Sequence, residues 1–129
     1  VIMIKTVNND APLDMTSDSS DGNVSINLRT TNGVGVMFTG FRVDYFYNDM
    51  TPVTEARISR AGALTKYMEG YEEATVSINV VSSEVRDFVL RNPDTDDDDI
   101  ASLVARISVI GTDENENQIS TTGNVEIYF

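Results

Sequence analysis

Apolar and polar residues alternate one by one in short segments along the chain, each bounded by turn residues. This period-two rhythm restricts the fold to β-strands that bury one face. From Val24 to Thr30, the residues Val24, Ile26 and Leu28 point one way and Ser25, Asn27 and Arg29 the other. Gly33 to Tyr47 carries Phe41, Val43, Tyr45 and Tyr47 on one face, opposite Arg42, Asp44 and Phe46, and reads as a central strand. Ala74 to Val81 alternates through Ala74, Val76, Ile78 and Val80. Ser102 to Gly111 is apolar on both faces, with Leu103, Ala105, Ile107 and Val109 opposed by Val104 and Ile110, as suits an inner strand. An apolar strand over Val1 to Val7 opens the chain. Gln118 to Phe129 closes it, with Gly123 placed to interrupt the last strand by a bulge.

Between these strands, Asn8 to Asn23 is a polar turn region rich in Asn, Asp and Ser, and Asn48 to Pro52 is a second turn. Glu55 to Ser59 reads as a short edge strand, and Gly62 to Glu73 as an irregular stretch whose Tyr67 and Tyr71 cover an open end of the core. Helical spacing occurs once, from Ser83 to Arg91, where Val85, Phe88 and Val89 fall at i, i+3 and i+4 and Ser83 caps the first turn. Seven or eight strands with no internal repeat and no linker predict an all-β fold. The expected form is an immunoglobulin-like antiparallel β-sandwich spanning residues 1–129 as a single domain, with one short helix near 83–91.

Composition narrows the chemistry. The 129 residues contain no His, no Cys and no Trp. Without His or Cys there is no Ser-His-Asp triad, no thiol nucleophile, no disulfide and no Cys/His metal site. A carboxylate pair, or one of the lysines Lys5 and Lys66, is all that remains for acid–base catalysis. Twenty-one acidic residues supply some pair at a suitable distance in any fold, so abundance removes the specificity of that signal. The net charge of −12 opposes nucleic acid and anionic membrane surfaces, which need a positive footprint, and suits cations or basic partners. No apolar run approaches the roughly 20 residues of a membrane-spanning helix. The start at Val1 reads as a processed or trimmed end.

Two stretches, VNNDAPLD near the start and ARISVIGTDENENQISTTGNVEIYF at the end, resemble uncharacterised bacterial secreted or lipoprotein-type immunoglobulin-like domains. In these a final hairpin runs from a strand through Gly-x-Asp and a polar turn ending in Asn, into a strand with Gly and a closing aromatic. Gly111, Asp113, Asn117, Gly123 and Phe129 stand at those places. The turn departs from the common form in having Glu116 where Gly is usual before Asn117. The resemblance covers about a quarter of the chain. It implies a sandwich fold and an extracellular or cell-surface location, and brings no activity and no site residues.

Four features are candidate sites. The run Asp94 to Asp99 (DTDDDD) either stays hydrated or recruits a hard cation such as Ca2+ through Asp94, Asp96 and Asp98. An EF-hand match fails there, because the sixth position is Asp99 rather than Gly and the twelfth is Ala105 rather than Glu. Asp113 and Asn115 bear alternate oxygens that Ca2+ could take, although tight turns use Asp and Asn for local hydrogen bonds in any case. Tyr45, Phe46 and Tyr47 could stack a sugar, but alternation assigns Tyr45 and Tyr47 to the core. Finally, Val1, Ile2, Met3 and Ile4 begin the chain with apolar residues on both faces. They serve either as the first strand of this domain or as an assembly strand given to a neighbouring subunit.

The function expected from these features is a non-enzymatic structural or interaction module outside the cell or on its surface. Its leading form is a filament or surface-assembly subunit that self-associates through the N-terminal strand. The alternative is a module that binds carbohydrate or a protein partner on its end loops, stabilised by Ca2+. A hydrolase working with two carboxylates ranks third.

Overall fold

The alternating segments form strands because each must bury its apolar phase, and two sheets facing each other do this for all of them. The computed structural model describes residues 2–15, 22–30, 33–47, 50–53, 60–86 and 102–129. Among these, eight strands follow in chain order: β1 (Ile2–Val7), β2 (Leu13–Asp14), β3 (Asn23–Thr30), β4 (Val36–Phe46), β5 (Arg60–Met68), β6 (Glu73–Asn79), β7 (Ser102–Asp113) and β8 (Gln118–Tyr128). A three-stranded sheet has the order β1-β3-β6, and a five-stranded sheet the order β2-β8-β7-β4-β5. The result is an all-β sandwich. Among the described residues no helix is long and apolar enough to cross a membrane.

The core lies between the sheets. Val24, Ile26 and Leu28 of β3 face Phe38, Val43 and Tyr45 of β4 and Leu103, Ala105, Ile107 and Val109 of β7, all of them buried. Each large side chain in such a core is worth about 1.5–3 kcal/mol of transfer free energy. Tyr45 brings a hydroxyl into this interior, where it donates a 2.6 Å hydrogen bond to the Val80 carbonyl just beyond β6. That contact ties the two sheets together and leaves no buried side-chain polar atom unpaired among the described residues.

The N-terminal segment serves both sheets. β1 pairs antiparallel with β3, a 3-10 turn over Asn8–Asp10 redirects the chain, and β2 then pairs parallel with β8. The turn has Asn8 at φ 52° and Asp10 at φ 63°, left-handed conformations that Asn and Asp tolerate best among residues with a side chain. Asn8 Nδ2 fixes the turn by donating to the carbonyls of Ala11 and Pro12. The β2–β8 pair is therefore parallel, where a purely antiparallel sandwich was expected.

Several local expectations change. The stretch 62–73 is not irregular: Gly62 to Met68 belong to β5, which ends the five-stranded sheet, and Glu73 opens β6. Its alternation is faint because Phe41 fills the place of a side chain at Gly62, where a Cβ would come within 2.5 Å of the Phe41 ring. Gly123 makes no bulge, since β7 and β8 stay in register from Ser102↔Tyr128 to Thr112↔Gln118. Its missing side chain instead admits β1, because a Cβ there would lie 2.8 Å from Val7 Cγ2 and 3.1 Å from Ile4 Cγ2. Register shifts fall between Phe38 and Gly40 and between Ile4 and Thr6. β7 rather than β4 is the middle strand of its sheet, and Tyr47, one residue past β4, is exposed rather than buried. The helical backbone spans 83–86 and its cap is Ser82, whose Oγ accepts from Val85 N, rather than Ser83. The remainder of the expected 83–91 helix and the expected 55–59 edge strand lie outside the described residues.

Replacing Tyr45 by Phe strands the Val80 carbonyl in the core and is expected to cost about 1–3 kcal/mol. The same change at the exposed Tyr47 should stay within about 0.5 kcal/mol. Urea unfolding of the two variants measures the difference.

Candidate functional site

The outer faces of the two sheets differ in kind. On the three-stranded sheet, polar side chains satisfy one another across the strands. Asn27 Nδ2 donates to Thr6 Oγ1 at 2.9 Å, Thr75 Oγ1 donates to Asn27 Oδ1 at 2.6 Å, and Asn79 Nδ2 donates to Asn23 Oδ1 at 3.1 Å. Ser25 and Ser77 stand opposite each other in the same register. Among the described side chains this face is polar and solvated.

On the five-stranded sheet, the outward phase contains Met37 of β4, Tyr67 of β5, and Thr112 and Ile110 of β7, and Met37 is in register with both Tyr67 and Thr112. Met37 is 41% exposed, Ile110 39% and Tyr67 47%. Towards the middle of the sheet the surface becomes polar, with Arg42 Nε donating to both oxygens of Asp44 at 3.1 Å and Ser108 hydrogen-bonded to Thr122. At the far end Phe46 is screened by the Arg106 guanidinium, 4.4 Å from its ring centroid. The apolar side chains around Met37 lack such a screen and form a patch at one end of the sheet.

Three connections close on this end. The β3–β4 loop carries Gly33 and Gly35, the β5–β6 turn runs over 69–72, and the β7–β8 hairpin turns over 113–117. Gly70 packs on the Gly33 backbone, where a Cβ would collide, so two glycines allow two loops to touch. Thr30 N donates to the Glu72 carbonyl at 3.2 Å, and Glu114 N to the Gly35 carbonyl at 3.1 Å, which binds all three connections together. Tyr67 and Tyr71 lie over this junction rather than over the core. The Tyr67 hydroxyl sits on Gly35, the Tyr71 ring lies against Gly33, and Tyr71 is 75% exposed.

The surroundings are acidic. The Tyr67 phenol donates to Glu114 Oε1 at 2.9 Å. That hydrogen bond first, then desolvation, then the charges of Glu114, Glu69 and Glu72, raise its pKa above the ordinary tyrosine value. In the adjacent hairpin, Asp113 Oδ1 accepts from Asn115 N and Asn117 N at 2.9 Å each, and Oδ2 accepts from Asn117 Nδ2 at 3.3 Å. These bonds, led by the one from the Asn117 backbone, hold the Asp113 carboxyl below its ordinary pKa.

The carboxylate of Asp113, named above with Asn115 as a Ca2+ ligand, is thus committed to its own turn, and Asn115 is exposed. Asp94, Asp96 and Asp98 lie outside the described residues, as does Val1. Among the described residues no group of three or more acidic side chains is close enough to hold a metal. Ile2 and Met3 pair with Thr30 and Arg29, and Ile4 packs partly buried against the core, with its N–H donating to Thr121 Oγ1 at 3.0 Å. A shallow groove of about 230 Å³ between the β1–β2 connection and β8 brings Asp10 and Glu126 near each other, on a surface remote from the Tyr67 junction in the strand order.

Met37 and Ile110 escaped the sequence reading. Their signal is an apolar residue on the polar phase of an alternating strand: Met37 interrupts Val36 and Phe38, while Ile110 was absorbed into the reading of an inner strand. Compared with known proteins, the chain matches no family model and no curated protein.

Glu116 occupies the hairpin's left-handed position at φ 65°, so Glu116→Gly should raise stability by about 1 kcal/mol in thermal or urea unfolding. Because the folded-state pKa of Asp113 is lowered, its contribution is present above the unfolded carboxyl pKa of about 4 and is lost as pH falls through the folded value. The stability difference between the native chain and Asp113→Asn should therefore be constant at neutral pH and shrink below about pH 4. Equal pH profiles for the two would show that the turn does not depend on the carboxylate.

Proposed function

We propose that this chain is a non-enzymatic interaction module of the immunoglobulin-like sandwich class, working outside the cell or on its surface. It presents the outer face of its five-stranded sheet to a protein partner. The observation that carries this reading is the contrast between the sheets: one outer face is closed by its own polar ladder, while the other leaves Met37, Tyr67 and Ile110 open to solvent beside Tyr71. Tyr47, Met50 and Tyr128 are comparably exposed elsewhere, but Met37, Tyr67, Tyr71 and Ile110 are gathered at one end, which fits an interface, where aromatic side chains and Met are enriched.

The immunoglobulin-like assignment is supported by strand order. β1-β3-β6 follows the A-B-E arrangement of such domains, and β8-β7-β4 the G-F-C arrangement with β5 added beside it. The cell-surface location rests on the resemblance of the C-terminal hairpin to secreted and lipoprotein-type domains. Between a sheet face and a donated N-terminal strand, the sheet face is favoured. β1 is already paired with β3, Ile4 N is bonded to Thr121 Oγ1, and Gly123 is shaped to receive Val7.

Placing a photo-cross-linking amino acid at Met37, and in a parallel sample at Thr75, tests this in cells that express the protein. Discrete adducts at position 37 and none at 75 are expected. Adducts at neither position, or at both equally, would end the assignment of the five-stranded face.

A further inference from the structure

Resting on the interaction-module reading, we infer that the partner of the Met37–Tyr67–Tyr71 face is a basic polypeptide segment, whose Lys or Arg side chains lie along the aromatic rings and end on the surrounding carboxylates. The juxtaposition is specific. Tyr67 and Tyr71 cover Gly35 and Gly33 of one loop, Met37 is in register with Tyr67, and Glu69, Glu72 and Glu114 lie close enough to Tyr67 to perturb its hydroxyl.

Charge selects among occupants. Glu69, Glu72, Glu114 and Glu116 stand around the patch with no basic residue in the β5–β6 turn or the β7–β8 hairpin. Lys66 adjoins Tyr67 but alternates onto the other phase of β5, in register with Phe38, and Arg42 along the same outer face is held by Asp44. A second copy of this chain would bring another −12 against the same carboxylates, and an acidic or nucleic-acid partner would be repelled equally. A Lys or Arg side chain meets both halves of the surface. Its aliphatic stem covers Met37 and Tyr67, and its charged head reaches a carboxylate or lies over the open face of Tyr71. Neither half suffices alone: exposed ion pairs contribute little, and the aromatic anchors give the contact its location.

The test is a titration of isotope-labelled protein with a synthetic peptide of alternating Lys and Leu with Ser spacers, and separately with the same peptide carrying Glu for Lys, followed by amide chemical shifts. The inference requires shifts concentrated at Gly33, Gly35, Met37, Tyr67, Tyr71 and Glu114 with the basic peptide and none with the acidic one. Tyr71→Gly should weaken binding about tenfold while leaving the melting temperature no lower. Tyr71 holds φ 62°, a conformation glycine adopts freely, so this variant separates binding from folding. Glu72→Gln should weaken binding, whereas Glu126→Gln, which removes the same charge at the distant groove, should leave it unchanged.

If shifts spread over the whole acidic surface, or if Glu126→Gln weakens binding as much as Glu72→Gln, the peptide is reading net charge and the inference fails. Adducts at position 37 in cells without localised basic-peptide binding would keep the interaction face and reject the basic partner. Absence of adducts at position 37 would reject the face itself.

Discussion

Everything in this molecule depends on interdigitation of two inner sheet faces, because no disulfide cross-links them. There is no cysteine to staple them. The three-stranded sheet contributes Val24, Ile26 and Leu28 from its middle strand, and the five-stranded sheet answers with Leu103, Ala105, Ile107 and Val109 from its own. A one-residue slip in either strand would turn its apolar set to solvent, so the register is fixed by burial as strongly as by backbone hydrogen bonds. The Tyr45 hydroxyl adds direction to this otherwise non-directional contact, since its bond to the Val80 carbonyl forms only when β4 and the end of β6 lie at one depth.

Given that core, the edges follow. β1 and β2 are one segment divided between two sheets by the Asn8–Asp10 turn, so a single length of chain lines one border of both. The missing side chain of Gly123 lets β1 approach β8 closely, and Gly62 leaves β5 to be covered by Phe41 from its neighbour. In both places a glycine in a strand marks a close approach by another part of the chain.

These glycines also explain what could be read from the sequence. β3, β4 and β6 were legible because the apolar phase of each turns inward, and β7 because apolar residues on both of its phases suit an inner strand. β5 was not, because Gly62 removes one inward side chain from its pattern and Phe41 supplies the missing volume from another strand. Gly123 signalled a special position, but a bulge and a close approach leave the same mark in a sequence. The parallel β2–β8 pair had no local signature, being two residues long and defined only by where Asn8 and Asp10 send the chain. At the candidate site, Tyr67 and Tyr71 stand out as a pair, but the meeting of Tyr67 with Met37 depends on β4–β5 register, which no local pattern encodes.

Backbone conformation gives a further reason to regard this end of the molecule as specialised. Non-glycine residues held at positive φ cost of order 1 kcal/mol each or more, and Asn and Asp bear this more easily than an aromatic side chain. Asn8 and Asp10 are of the tolerant kind, and they sit where the chain must turn between sheets. Met50 closes a tight turn at the other end, where its N–H donates to the Tyr47 carbonyl. Tyr71 and Glu116 both stand in the turns at the Tyr67 junction, at positions where glycine would be easier. Glycine at 71 would form the same turn and lose only a ring that is three-quarters exposed, so stability does not account for a tyrosine there. Beyond its contact with Gly33, the ring gains a role under the proposed function, as an anchor for a partner. The contact proposed for it, burial of the ring by a basic partner, suits a turn in which Glu69 and Glu72 flank Tyr71 in sequence.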